Sequence, residues 1–407
     1  MSLRNGLAVI AGSLLCLWAS AVAGQMTDNV VKIGVLNDRS GLYADLSGQG
    51  SVIAAQMAKE DYGAEAKGLK VEIVGADHQN KADIGSNIAR QWLDVDKVDV
   101  IVDVPNSSVA LAVNEIVREK NKVFLNSGAG TSDLTGKACS PNTIHWTYDT
   151  WALANGTGKA VVRTGGKTWF FIVADYAFGH TLEREASEVV VANGGKVLGS
   201  VRHPLSTADF SSYLLQAQSS KAQVIGLANA GTDLTNAIKQ AAEFGLIQGG
   251  QKLAGLLVFI TDVHGMGLQT AQGLVLTEAF YWDLNDGTRA WSKRFAERNG
   301  GAYPTMIHAG VYSAVLHYLK VVEALKSDAD GAKVVAEMKL TPTDDPLFGK
   351  GTIREDGRKI HDMYLFQVKK PAESKAPYDY YLLRATIPAA EAFRPLDQGG
   401  CPLVKKG

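Results

Sequence analysis

The chain has no excess of either charge, few cysteines and, past its first two dozen residues, no long hydrophobic run. Lys and Arg number 41 against 42 Asp and Glu, a formal net charge of -1. That balance gives no electrostatic reason to bind nucleic acid or an anionic membrane. None of the three cysteines stands in a C-x-x-C pair, and the eight histidines (His78, His145, His180, His203, His264, His308, His317 and His361) lack metal-ligand spacing. G-x-S-x-G and H-E-x-x-H are absent. "VVRTGGKT" supplies Gly166, Lys167 and Thr168, but the first glycine of a phosphate loop would fall at Val161, and the segment leads into a strand. "SGQGSV" lacks the third glycine of a dinucleotide fingerprint. No metal and no cofactor is therefore expected, and nothing in the sequence argues for an enzyme.

What is present begins at the N-terminus. "MSLRNGLAVIAGSLLCLWASAVAGQ" has Arg4 in a short leading segment, an apolar stretch and Ala21-Val22-Ala23, the pattern of a secretory leader cut near Ala23. The stretch holds about 13 apolar residues, short of the roughly 20 that span a bilayer. The reading is an exported protein with residues 1–23 removed, the net charge moving from -1 to -2 with the loss of Arg4. Cys16 leaves with the leader. Cys139 and Cys401 remain, either as one disulfide in an oxidising compartment or as two buried thiols. A bridge between them would pin the end of the chain to its body.

At 407 residues and 46% hydrophobic content, two domains are the simplest count. Val/Ile/Phe-rich runs alternate with amphipathic helical runs, as in "VVKIGVL", "LKVEIVGAD", "KVDVIVDV" and "KVFLN". The rhythm restarts with "KTWFFIV", "KVLGSV", "AQVIGLA" and "LAGLLVF". The expected fold is α/β, two consecutive Rossmann-like units with parallel sheets and a break near 147–150. "GKGTIREDGRK" and "HDMYLFQVKK" read as a two-stranded ending, and the segment from 377 as an extended tail.

Small-residue turns follow the strands where open parallel sheets bind ligands. They include "PNSS" and "FLNSGAGTSD" in the first unit, and "ADYAFG", "ANAGTD" and "ITDVHGMG" in the second. "PNSSVALAV" offers side-chain caps and the positive end of a helix. With the backbone of Gly128 and Gly130 these make a neutral cradle for one carboxylate. Helix capping alone accounts equally well for any single turn. Tyr43, Tyr148, Trp151, Tyr176, Phe178, Tyr281 and Trp282 fall in turns with polar neighbours, as walls of an apolar pocket would.

The combination of "VKIGVLNDRSGLYADLSGQG", "VDVIVDVPNSSVALAV", "SGAGTSDLTG", "DYAFGHTLEREA", "ANAGTDLTNAIKQAAEFGL" and "GKGTIREDGR" resembles periplasmic substrate-binding proteins of the branched-chain amino acid type, which serve ABC importers. The resemblance implies two lobes, 28–148 with 283–354 and 149–282 with 355–385, plus a tail at 386–407. Three crossings, near Tyr148, Tyr281 and Arg354, would let the lobes close on a ligand. It also implies a ligand carboxylate held by Asn106, Ser107, Ser108, Gly128 and Gly130, with Tyr43 on the same wall. Across the cleft it matches Asp149, Thr150, Phe178, Asn229, Gly231, Thr232 and Asp262, the last as partner of an amino acid's ammonium. "IHWTYDTWALANG" and "TEAFYWDLND" look more like members that bind aromatic acids such as benzoates. The ligand thus stands between an apolar or aromatic amino acid and an aromatic acid. The implied partner is an inner-membrane ABC permease, and the implied form a periplasmic monomer. A soluble sensor docking on a membrane receptor is the alternative.

Overall fold

The computed structural model describes residues 26–405; the expected leader, 1–23, lies outside them. The first strands are β1 (Val31–Asn37), β2 (Val71–Asp77), β3 (Val100–Asp103), β4 (Val123–Asn126) and β5 (Thr143–His145). Between them run α1 (Gly48–Tyr62), α2 (Ala82–Asp94) and α3 (Ser107–Glu119). The strands pair in parallel in the order β2-β1-β3-β4-β5. β3 and β4 are fully buried, which is why they read as unbroken apolar runs rather than as an alternation.

The chain leaves this sheet at 146–149 and forms α4 (Thr150–Leu153) and α5 (Lys159–Arg163). A second α/β unit follows: β6 (Thr168–Ala174), α6 (Ala177–Ala192), β7 (Lys196–His203), α7 (Ser211–Ser219), β8 (Val224–Ala228), α8 (Gly231–Glu243), β9 (Lys252–Gly255) and α9 (Ile260–Met266). Its parallel order is β7-β6-β8-β9. The strand expected across "LAGLLVF" ends early, at Gly255. Leu256–Phe259 instead runs as a connection into α9, so its apolar side chains are delivered to the end of the sheet.

After α10 (Leu268–Ala271) and β10 (Val275–Glu278) the chain returns to the first sheet through α11 (Asp286–Arg298), α12 (Met306–Leu325) and α13 (Gly331–Leu340). Helix α12 is buried along most of its length and packs on α1. A small antiparallel sheet, β11 (Thr343–Asp345), β12 (Gly349–Ile353) and β13 (Lys359–Ile360), lies beside them. Arg354 sits in its hairpin turn, donating its N–H to the Arg358 carbonyl at 2.9 Å. The chain then crosses at 361–362 into β14 (Met363–Val368).

β14 does not pair with that hairpin, as the expected two-stranded ending required; it joins β10 and β15 (Tyr381–Ile387) in a separate antiparallel sheet. The expected extended tail therefore contains a strand. Its residues are mostly exposed on β15, so no core-facing period marks it in the sequence. A short helix, α14 (Ala389–Ala392), follows. Cys139 and Cys401 are disulfide-bonded, with Cα atoms 5.6 Å apart.

The architecture is two-lobed α/β. In lobe 1 the strand order reverses between β1 and β3, and in lobe 2 between β6 and β8. Ligands of open α/β sheets bind beyond the carboxyl ends of strands at such reversals. Here the loops after β1, β3, β6 and β8 meet face to face.

Candidate functional site

The turn after β3 is strained. Asp103 and Val104 hold φ values of 79° and 55°, a region costly for non-glycine residues. Backbone bonds hold it there: Val104 N–H donates to the Leu36 carbonyl at 3.0 Å, and Gly128 N–H to the Asp103 carbonyl at 3.1 Å. The bend delivers Pro105 and Asn106 to the crevice. Asn106 caps α3, its Oδ1 accepting from Ser108 N–H (3.0 Å) and Val109 N–H (3.2 Å). Its Nδ2 is buried without a partner. Ser107 Oγ accepts from Thr131 N–H at 3.2 Å, tying the α3 terminus to the turn after β4. The Gly128 carbonyl accepts from Tyr148 Oη–H.

Gly130 lies where the lobes meet. A Cβ there would stand 2.8 Å from a ring carbon of Phe178 and 3.2 Å from one of Tyr148. Its carbonyl accepts from Thr150 N–H at 2.7 Å. Thr150 Oγ1 accepts in turn from Ser132 N–H at 3.2 Å.

Between the lobes is a small cavity. Lobe 1 and the first crossing line it with Tyr43, Leu46, Pro105, Gly130 and Tyr148. Lobe 2 adds Tyr176, Phe178, Ala230, Leu257 and Phe259. Five of these carry aromatic rings and none carries a charge. Its free volume is about 10 Å³, room for one water molecule, so the lobes stand nearly shut. The mouth is closed by the Tyr43 and Tyr176 hydroxyls, 2.6 Å apart, and by Thr232 N–H donating to the Leu42 carbonyl at 3.3 Å. Gly231 beside it has φ of 59°, and a Cβ would fall 2.3 Å from that carbonyl. Burial pushes both tyrosine hydroxyls above their ordinary pKa, so each stays protonated.

Of the residues expected at the site, Tyr43, Gly130 and Phe178 line this cavity, and Asn106, Ser107, Ser108 and Gly128 form the wall behind Pro105 and Gly130. The remaining six are engaged elsewhere. Asp149 caps α4 through Oδ1 (Ala152 N–H, 2.8 Å), while its Oδ2 lies 3.5 Å from Arg358. Thr150 serves Ser132. Asn229 turns its amide to His203, Nδ2 to Nε2 3.1 Å. Gly231 and Thr232 meet the opposite lobe. Asp262 is buried with Oδ2 accepting from Phe259 N–H at 2.8 Å, and it does not line the cavity. Burial is the main reason its carboxyl is pushed up to about 7.

Leu46, Pro105, Ala230, Leu257 and Phe259 were not among the expected site residues. Pro105 and Ala230 had a signal, standing inside the turns "PNSS" and "ANAGTD". Leu257 and Phe259 had none, because an apolar run reads the same whether it continues a strand or leaves one. Among the described residues no group of three or more His, Cys, Asp or Glu side chains is placed to hold a metal ion, and no helix is long and apolar enough to cross a membrane.

Residues 30–375 match the family model described as Periplasmic binding protein. A periplasmic binding protein from Burkholderia mallei is 54% identical, with 93% of this chain and 100% of that chain covered and a TM-score of 0.90. A branched-chain amino acid ABC transporter periplasmic ligand-binding protein from Burkholderia xenovorans LB400 is 43% identical, with 92% and 99% covered and a TM-score of 0.81. A solute-binding protein of an ABC transporter from R. palustris, in complex with benzoate, shares the fold at a TM-score of 0.80 with 21% identity, covering 92% of this chain and 99% of that one.

Proposed function

The chain belongs to the periplasmic binding protein family, solute-binding proteins of ABC transporters rather than enzymes, and from that premise we propose that it binds a small aromatic monocarboxylate between its lobes. The observation that carries this reading is the cavity: five aromatic rings, no charged side chain, and the orphaned Asn106 Nδ2 at the positive end of α3 beside it. A flat apolar ring suits the walls, and a single carboxylate suits the α3 end, where a buried donor otherwise goes unpaired. Asn106, Ser107, Ser108, Gly128 and Gly130 are the residues we assign to the carboxylate. Tyr43, Tyr148, Tyr176, Phe178 and Phe259 are those we assign to the ring.

Ligand entry requires the lobes to part, because the space between them now holds no more than one water molecule. We take 28–148 with 283–360 and 149–282 with 363–385 as the moving bodies, the third boundary lying past the expected 354 because β13 pairs with β12 and Arg358 bridges to His145 of lobe 1. The loaded form would then engage an inner-membrane permease after export and cleavage near Ala23. A branched-chain or aromatic amino acid is the second reading, favoured by the description of the Burkholderia xenovorans relative. It needs an acceptor for an ammonium, and Asp262 is already committed to Phe259 N–H.

The test is a thermal-shift series on ligand-stripped mature protein with benzoate, 4-hydroxybenzoate and coumarate against leucine, valine and phenylalanine. A ligand at 100 times its dissociation constant stabilises by about 2.7 kcal/mol, a shift of a few degrees for a protein of this size. Shifts with the aromatic acids alone are expected. Shifts with the amino acids alone would replace the first reading by the second.

A further inference from the structure

The C-terminal segment links the lobes a fourth time. Strand β15 pairs with β14 in the small antiparallel sheet that also holds β10, on the lobe 2 side, whereas Cys401 is bonded to Cys139 of lobe 1. About a dozen residues lie between, and extended they would reach roughly 40 Å, so their length alone does not restrain the lobes. Their contacts do. Asn155 Nδ2 of lobe 2 donates to the Glu391 carbonyl at 3.0 Å. Phe393 lies under the buried Arg358 guanidinium, 4.1 Å from its ring centre. Arg354 Nη1 donates to the Arg394 carbonyl at 2.8 Å.

The Arg394 side chain then reaches into the interlobe seam. Nη2 donates to the Ser132 carbonyl at 3.1 Å, and Nη1 lies 3.4 Å from both Ser132 Oγ and Glu185 Oε1. Ser132 Oγ also donates to Glu185. Glu185 belongs to α6 of lobe 2 and is 2% exposed, with Oε2 unpartnered. Two more contacts flank it on the same helix: Thr181 Oγ1 to Thr131 Oγ1 at 3.2 Å, and Arg184 to Asp133 at 3.7 Å. Residues 128–133 are therefore one short turn with two faces. Its first half meets the cavity, and its second half meets α6 under Arg394.

We infer that Arg394 is a positioning residue for the ligand cleft, held on lobe 1 by the Cys139–Cys401 bridge and fixing the 131–133 turn against Glu185 in the closed arrangement. The inference rests on reading the cavity as the ligand site. Removing the guanidinium leaves the buried Glu185 carboxylate with only the half-exposed Arg184, also 3.4 Å from Oε1, as a cation, and takes away the donors to Ser132, a loss that interfaces show mainly as faster dissociation. An Arg394→Ala variant should release benzoate about tenfold faster with little change in association rate. Arg394→Lys, which keeps the charge and loses the fork, should recover part of that loss. The double variant Cys139→Ser, Cys401→Ser should move the dissociation rate in the same direction by about threefold, through the looser chain end.

A second readout needs no ligand. Pulsed dipolar spectroscopy between spin labels at the exposed positions 90 and 216, one on each lobe, reports the closed fraction of the free protein. Arg394→Ala should lower that fraction, and Arg394→Lys should restore part of it. If Arg394→Ala matches the wild type in closed fraction, the inference is wrong, whatever happens to its melting temperature. If wild-type protein ignores benzoate while the variant still opens the lobes, the choice of ligand fails and the role of Arg394 stands.

Discussion

Of the two lobe 1 helices that start at the crevice, α3 is capped by Asn106 while α1, after Ser47, has no side-chain cap; the three that lobe 2 points at it begin after Tyr176, Ala230 and Phe259, none of which caps with its side chain. A side-chain cap contributes about 1 kcal/mol. Lobe 2 forgoes it three times and has rings or a methyl group at those positions instead. Its buried acids at this end are taken up by backbone, Asp262 by Phe259 N–H at its own helix start and Asp233 by the N–H groups of Ser206 and Thr207. Two copies of one α/β plan thus face each other with different chemistry. One is arranged around polar backbone and a spare amide donor, the other around apolar cover.

The largest expected effect tests where the two surfaces touch. Gly130→Val should weaken binding of the ligand found in the thermal series by roughly 10- to 100-fold, since overpacking a tight contact costs about 1–3 kcal/mol. Calorimetry on the variant measures this. The added side chain meets Phe178 only when the lobes are shut, whereas the looser approach to Tyr148 stays within lobe 1, so stability without ligand should change less than binding. Equal binding by variant and wild type would mean the turn does not pack this way in the loaded form.

Next comes Asp262. Its folded pKa is raised, so the folded state prefers the protonated form. The contribution to stability is whole below the unfolded value near 3.8 and is lost as pH rises toward about 7. Buried histidines oppose it over part of that range, His145, His203 and His361 among them, each lowered chiefly by burial. His78, His308 and His317 are lowered to about 4, chiefly by burial, so their contribution is present above 6.5 and lost as pH falls toward 4. Asp262→Asn separates the two: it should stabilise the protein by on the order of 2 kcal/mol at pH 8 and by much less at pH 5. Urea unfolding at the two pH values is the measurement, and equal gains at both would show that Asp262 is not protonated preferentially in the fold.

Asn106→Ala removes the cap that distinguishes lobe 1 and should cost about 1 kcal/mol of stability. It should also weaken carboxylate ligands while leaving their uncharged amides unaffected, which competition binding resolves. The smallest effect belongs to Tyr176→Phe. Losing one hydroxyl pair across the mouth should raise the dissociation constant by about fivefold, given the roughly 1 kcal/mol of a typical hydrogen bond. No change would mean that hydroxyl pair adds nothing to closure.

The alternation of helices and strands was legible because buried parallel strands are written as Val/Ile/Leu runs, "VIVD" and "VIGLA" among them. Asn106 was legible as a cap for the same reason, since few residue types do that work before a helix. The end of β9 was hidden because Leu256–Phe259 is apolar on both readings. Asn229 and Asp262 stood at the right turns, yet their side-chain directions were set by His203 and by Phe259 N–H, partners far away in sequence or on the backbone. Arg394 left no trace at all, because an arginine near a chain end reads as solvated until the bridge at Cys401 brings it inward.

The pairing of α1 with α12 bears on the order of events during refolding. The four strands β6 to β9 and the helices between them are contiguous in sequence, so that unit holds its own partners as soon as it is synthesised. The first sheet does not: its α1 face waits for α12 and for Arg294, whose bidentate contact with Asp61 closes a loop of more than two hundred residues. Loop closure of that length is slow relative to local contacts. A chain arrested before residue 306 should therefore show amide protection across 168–255 while 48–62 still exchanges freely.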